Sequence, residues 1–198
     1  MRSRPAGRAT TVSDRKRTMI YDRVETNVGT TSTLEEIFGH HTWASLTLID
    51  ACLSLDIDQL QAPAIGSYGP ILDTLRHLVG NEAFDLAVVE GVPSVLIDSE
   101  RMTLKELRAM AERSGDGWMR VIRQPLDPAA VFLEVDPVDG FRREATLGVR
   151  LTQALHHATE HRAQICSAFT MIGLEAPRID AFDYGKATGR ISEVHPGS

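Results

Sequence analysis

The chain has 198 residues, of which 42% are hydrophobic and 24% are charged, and its formal net charge is −6. This length and composition are typical of one globular domain that folds around its own core. No apolar run approaches the roughly 20 residues that cross a bilayer, and an acidic chain argues against nucleic acid as the main partner. We therefore expect neither a membrane nor a nucleic-acid partner.

The N-terminus is the basic part of the chain. Its first 17 residues contain six cationic side chains, namely Arg2, Arg4, Arg8, Arg15, Lys16 and Arg17. No apolar stretch follows these charges, so the segment is not typical of a secretory signal. Because it offers little apolar surface to bury, we predict that residues 1–31 form a disordered tail.

Cys52 and Cys166 are isolated, without a CxxC motif or a disulfide-type spacing. We interpret both as small core side chains. Two lone cysteines in an acidic chain favour the reducing cytoplasm as its location.

The first two helices are predicted from apolar spacing and from their ends. Over residues 32–55, apolar side chains recur every three or four positions, and Ser32 or Thr33 supplies a cap. The second helix begins at Pro70, where a missing N–H is tolerated, and ends near Gly91. This second helix is apolar on two sides, which predicts a homodimer that buries Phe84 and Val88 or their neighbours.

A hairpin is predicted between the last two helices. The third helix opens with the capping-box pattern Thr103-Leu-Lys-Glu106 and continues to about residue 123. Residues 131–135 and 141–146 flank a turn-forming segment and are typical of two short strands. The fourth helix covers about residues 147–174. We predict an all-α four-helix bundle over residues 32–185, with the hairpin inserted before the last helix.

The C-terminal residues complete the predicted organisation. Residues 178–198 are predicted to lie over the bundle as an extended segment, anchored by Phe182 and Tyr184. Residues 186–198 are expected to form a tail outside the domain.

Histidines supply the strongest chemical signal. His157 and His161 are four residues apart in the fourth helix, so both imidazoles face one side and can reach one metal ion. His156 points away from that side and is expected to be solvated. A useful site needs a third ligand, and His77 of the second helix is the first candidate. His40 and His41 of the first helix and His195 of the tail are the others, and the periodicity leaves this choice open.

Two segments resemble the DinB-like metal-binding bundles. Leu155-His-His157-Ala-Thr-Glu-His161-Arg162-Ala-Gln164-Ile165 is similar to that family's last-helix signature, in which a His-Arg-Gly-Gln-Ile-type string follows a histidine. Residues 67–78, with His77 before a leucine, resemble its second-helix stretch. The similarity extends over about residues 32–185. Ala163 departs from the usual glycine, and Glu160 stands where the family often has another histidine.

The resemblance implies a metal site made by His77, His157 and His161. One divalent ion, such as Zn²⁺, Ni²⁺ or Fe²⁺, is the expected cofactor, with at least one position open to water or substrate. Asp73 and Gln164 are the candidates for orienting the imidazoles through their other nitrogen atoms.

The resemblance also implies a reaction class. Similar proteins include enzymes that use low-molecular-weight thiols such as mycothiol or bacillithiol, and others described as metal-dependent hydrolases. We expect a metal-dependent enzyme that acts on a small molecule, with thiol transfer ahead of hydrolysis and the thiol as cosubstrate. A non-enzymatic, metal-stabilised binding or stress-response module is the remaining alternative.

A different motif covers the same histidines. His157-Ala-Thr-Glu160-His161 also spells the HxxEH string of inverzincin proteases, in which Glu160 would be the general base. Those enzymes are much larger α/β proteins, so the predicted bundle does not favour this interpretation.

Overall fold

A computed structural model describes residues 31–62, 66–92, 101–135 and 140–194 of the chain. Its helices are α1 (Thr33–Cys52), α2 (Ile57–Leu60), α3 (Ile71–Glu90), α4 (Leu104–Ile122), α5 (Leu147–Met171) and α6 (Ala181–Ala187). Strands β1 (Val131–Val135) and β2 (Arg142–Thr146) lie between α4 and α5. The predicted helical fold, with a hairpin before the last long helix, is confirmed. The basic N-terminal tail and His195 fall outside the described residues.

The four long helices form the bundle. Helix α1 packs against α4 and α5, and α3 packs against the same two helices, so α1 and α3 occupy opposite corners. The largest fully buried side chains come from all four helices and include Phe38, Leu48, Leu75, Leu78, Leu107, Trp118 and Ile165. This packing places α3 beside α5, the two helices that contain the three predicted ligands.

Side-chain caps determine where the long helices begin. Ser32 Oγ accepts from the Glu35 N–H at 3.2 Å, while the Glu35 carboxylate accepts from the Ser32 N–H at 2.9 Å. Thr103 and Glu106 form the same reciprocal pair at the start of α4. Each pair satisfies N–H groups that the first turn leaves without a helical acceptor.

The hairpin continues directly into α5. Its strands are antiparallel, with Val131 opposite Thr146 and Val135 opposite Arg142. Thr146 then caps α5, since its Oγ1 accepts from the Val149 N–H at 3.4 Å. Strand β1 contacts α3 and strand β2 contacts α5, so the hairpin lies against both helices that contain the three histidines.

The segment after α5 differs from the extended segment that we predicted. Asp180 Oδ1 accepts from the Asp183 N–H at 2.8 Å, and this cap starts the short helix α6. Tyr184 is buried against α1, with its ring centroid 5.7 Å from that of Trp43, whereas Phe182 is 72% exposed. A helix places these two side chains on different sides, so of the two predicted anchors Tyr184 is buried and Phe182 is not.

No helix in the described part of the chain has the length and apolar character required to cross a bilayer.

Candidate metal centre

Three imidazoles from two helices converge at one point. His77 projects from α3, and His157 and His161 project from successive turns of α5. Nε2 of His157 lies 3.2 Å from Nε2 of His77 and 3.0 Å from Nε2 of His161. Candidate ligand atoms of the three residues all lie within 4.8 Å of one another.

These distances fit the coordination shell of a divalent ion. Two nitrogens that each lie about 2.0–2.1 Å from one ion are about 2.8–3.4 Å apart when their angle at the ion is about 90–110°. The separations of 3.0 and 3.2 Å match that range. Three imidazole lone pairs at such short range repel one another unless a cation or a proton lies between them. The donor set therefore suits a metal of intermediate softness, such as Zn²⁺, Ni²⁺ or Fe²⁺.

Burial favours the neutral form of two of the imidazoles, His77 and His157. It lowers the pKa of His77 to about 4, with additional repulsion from His161 and His157, and it also lowers the pKa of His157. A neutral imidazole has a lone pair available for a metal, so protons do not compete strongly near neutral pH.

Gln164 determines which nitrogen of His161 faces the site. Its Oε1 lies 2.9 Å from Nδ1 of His161 and accepts a hydrogen bond from that ring N–H. The same oxygen accepts from the Tyr68 backbone N–H at 3.2 Å. With the proton on Nδ1, the lone pair of Nε2 points at the other two histidines. Gln164 thus also ties α5 to the loop before α3.

An aromatic ring forms one wall of the site. The Tyr68 ring stacks on His77 with centroids 3.9 Å apart and meets the ring of His161 edge-on. Tyr68 is 58% exposed, and His77 and His157 are only half-buried. Part of the surface of His77, of His157 and of the covering Tyr68 ring is therefore in contact with solvent, whereas His161 is buried.

A buried polar network sets the orientation of α5 behind the site. Arg162, which directly follows His161, contacts Ser45 Oγ at 3.0 Å and His41 Nδ1 at 3.3 Å on α1. His41 Nε2 in turn lies 3.0 Å from the Glu82 carboxylate of α3. Burial lowers the pKa of Arg162 to about 10, opposed by attraction to Glu82. Because the network links three helices, it restricts how α5 can rotate.

The other sequence candidates lie elsewhere. Asp73 forms an ion pair with Arg76 at 3.4 Å, and the ring of His40 binds the Ile179 carbonyl oxygen at 2.9 Å. His156 and Glu160 are exposed. An exposed Glu160 beside a helical bundle does not support the protease interpretation of the HxxEH string.

Asn81, which was not predicted from the sequence, also contacts the imidazoles. Its Nδ2 lies 3.0 Å from Nε2 of His77 and 3.5 Å from Nε2 of His157. A signal was present, because Asn81 follows His77 by four residues, the same spacing that relates His157 to His161. It was overlooked because a neutral amide is not an obvious metal ligand.

A second polar cluster, which was also not predicted from the sequence, lies farther along α3 and α5. Asp85 is one turn beyond Asn81 on α3, and Arg150 is two turns before His157 on α5. Arg150 Nη1 binds the Glu134 carboxylate at 2.6 Å and lies 3.9 Å from Asp85 Oδ1. Burial raises the pKa of Asp85 to about 6 despite attraction to Arg150.

The fold and the site together define a class of protein: a helical bundle with three histidines from two adjacent helices placed to hold one metal ion. The family model of the DinB family matches residues 27–194, which is most of the chain. The chain belongs to the DinB family, and the resemblance seen in its motifs is confirmed. No curated protein matches the sequence.

Proposed function

We propose that this protein is a metal-dependent enzyme that joins a low-molecular-weight thiol to a small electrophile. The observation that carries the proposal is the partial solvent exposure of the three-histidine centre: two of its imidazoles are half-buried, and Tyr68, which stacks on His77, is 58% exposed. A metal that only stabilised helix packing would be expected in a closed site with its coordination filled by protein.

Each residue of the centre has a part in this chemistry. His77, His157 and His161 would hold a divalent ion, which when bound favours thiolate over thiol and so supplies a nucleophile at neutral pH. Gln164 keeps Nε2 of His161 directed inward through the hydrogen bond to Nδ1. Tyr68 offers an aromatic face that would cover the apolar part of a substrate.

The proposed reaction forms one C–S bond. The thiol gives up its proton to solvent, and its sulfur attacks an electrophilic carbon with its electron pair. In a transfer reaction, the bond from that carbon to the leaving group breaks, and the leaving group departs with the electron pair. In a thiol-assisted isomerisation, the C–S bond breaks again after rearrangement.

The test supplies metal-loaded protein with panels of electrophiles, with and without bacterial thiols, and follows products by mass spectrometry. We expect turnover that requires thiol, is lost in His161→Ala and persists in the control His156→Ala, which alters an exposed histidine of the same helix. Turnover without thiol would make the protein a hydrolase. A metal-loaded protein with no turnover on any panel would favour a binding module.

A further inference from the structure

Asn81 is the polar side chain nearest the three imidazoles that the family resemblance does not account for. Its amide nitrogen lies 3.0 Å from Nε2 and 3.3 Å from Nδ1 of His77, and 3.5 Å from Nε2 of His157. Asn81 lies on α3, is half-buried and contacts one imidazole of its own helix and one of α5.

Metal binding removes the acceptors that Asn81 uses here. An imidazole Nε2 has a single lone pair, and once that lone pair binds an ion it cannot accept a hydrogen bond. Nδ1 of a metal-ligating histidine is commonly protonated and then is not an acceptor either. The amide N–H groups would therefore face the site without the imidazole acceptors, which is unfavourable for a partly desolvated donor.

We propose that Asn81 donates a hydrogen bond to the exogenous atom that binds beside the three imidazoles, an anionic oxygen or sulfur. Contact with both His77 and His157 places the amide at the edge of the coordination shell, where a neighbouring ligand atom would lie. An N–H donor favours an anion over its protonated form, so Asn81 lowers the pH at which the bound group ionises. The choice of a thiolate as that anion rests on the proposed function.

Cobalt-loaded protein provides a readout that does not depend on turnover. Co²⁺ absorbs visible light, and its spectrum changes when a bound water ionises or when a thiolate binds. The first experiment titrates the Co²⁺ protein with base in the absence of thiol. The second adds 2-mercaptoethanol and measures the thiolate-to-Co²⁺ charge-transfer absorption against thiol concentration.

Three variants separate the possible roles of Asn81. Asn81→Leu keeps the branching at Cγ but has no donor, and Asn81→Asp keeps the shape but presents a carboxylate that repels an anion. Gln153→Leu is the matched control, since it replaces an exposed amide of α5. Circular dichroism and the Kd for Co²⁺, from chelator competition, show whether each variant is folded and binds metal.

We expect Asn81→Leu to bind Co²⁺ with a Kd within about threefold of the parent but to bind 2-mercaptoethanol about 10- to 100-fold more weakly, because a hydrogen bond to a charged group is lost. Ionisation of the bound water should move to higher pH in Asn81→Leu and further in Asn81→Asp, with no change in Gln153→Leu.

An unchanged ionisation pH and thiol affinity in Asn81→Leu would overturn the proposal. So would a loss of Co²⁺ from this variant comparable to that of His77→Ala, because Asn81 would then be a ligand itself. If the parent protein shows no thiolate absorption, the thiol function fails, while the titration without thiol still decides the role of Asn81.

Discussion

Gln164 accepts two hydrogen bonds through one oxygen, from His161 Nδ1 at 2.9 Å and from the Tyr68 N–H at 3.2 Å. We predict that Gln164→Leu weakens metal binding by about 10- to 100-fold, because His161 loses the partner that fixes its tautomer. Asp73→Ala is the control, since Asp73 pairs with Arg76. Chelator competition measures the Kd for the metal in both variants. Equal metal affinities in Gln164→Leu and Asp73→Ala would exclude this role for Gln164.

Asp85 gives a pH-dependent prediction. Burial raises its pKa from 3.8 to about 6, so the folded protein binds this proton more tightly than the unfolded chain does. The stability that this bound proton contributes is therefore lost as pH rises from about 4 to 6. We expect Asp85→Asn to raise the free energy of unfolding by about 1–3 kcal/mol at pH 8 and by almost nothing at pH 4.

Urea unfolding of metal-free protein at both pH values measures this difference. A variant that is less stable than the parent at pH 8 would show that attraction between Asp85 and Arg150 outweighs the cost of burying the carboxylate.

Some side chains of the site were predictable and others were not. The four-residue spacing of His157 and His161 predicted that both face one side of a helix, because that follows from helical periodicity. The neighbours of the imidazoles depend on rotamers and on the approach of a second helix. For that reason Asp73, one turn before His77, turns to Arg76, while Asn81, one turn after it, faces the site.

Glycine in the middle of α4 has a packing role. A Cβ on Gly115 would collide with the side chain of Thr42 on α1, so the glycine allows these helices to approach closely. We predict that Gly115→Ala destabilises the protein by about 1–3 kcal/mol, although alanine is the better helix former. Thermal or urea unfolding measures this change in the free energy of unfolding.

Two further variants test whether the collision with Thr42 causes the predicted destabilisation by Gly115→Ala. Gly148→Ala in α5 is the control, because a Cβ there meets only ordinary contacts, the nearest at 3.4 Å. Adding Thr42→Ala to Gly115→Ala should recover most of the loss, since it removes the two nearest atoms, Cγ2 and Oγ1, and leaves only the Cβ of residue 42 at 3.0 Å. A single Gly115→Ala variant as stable as the parent would refute the steric explanation.

The long helices were more predictable than the short ones. Caps such as Ser32 and Thr103 lie in the sequence within three residues of the Glu that completes each pair, so they mark helix starts locally. Helices α2 and α6 have only 4 and 7 residues, too few for a periodic apolar pattern to appear. Their formation depends on a capping Asp and on contacts with the bundle.

For the molecule as a whole, the bundle brings together residues that are 80 positions apart in the chain, His77 and His157. Periodicity alone could not choose His77 over His40 or His41, because it does not determine which helices become neighbours. The family resemblance supplied that choice. The expected homodimer stays a prediction, and the mass in solution by light scattering would test it.

Metal content is the measurement that decides whether the three histidines form a metal centre. We predict that protein purified without an affinity tag carries close to one divalent ion per chain by elemental analysis. His77→Ala and His157→Ala should each lose most of it, because two remaining imidazoles rarely retain a labile ion, while the exposed His156→Ala should keep it. Full occupancy in folded His77→Ala protein would contradict the proposed centre.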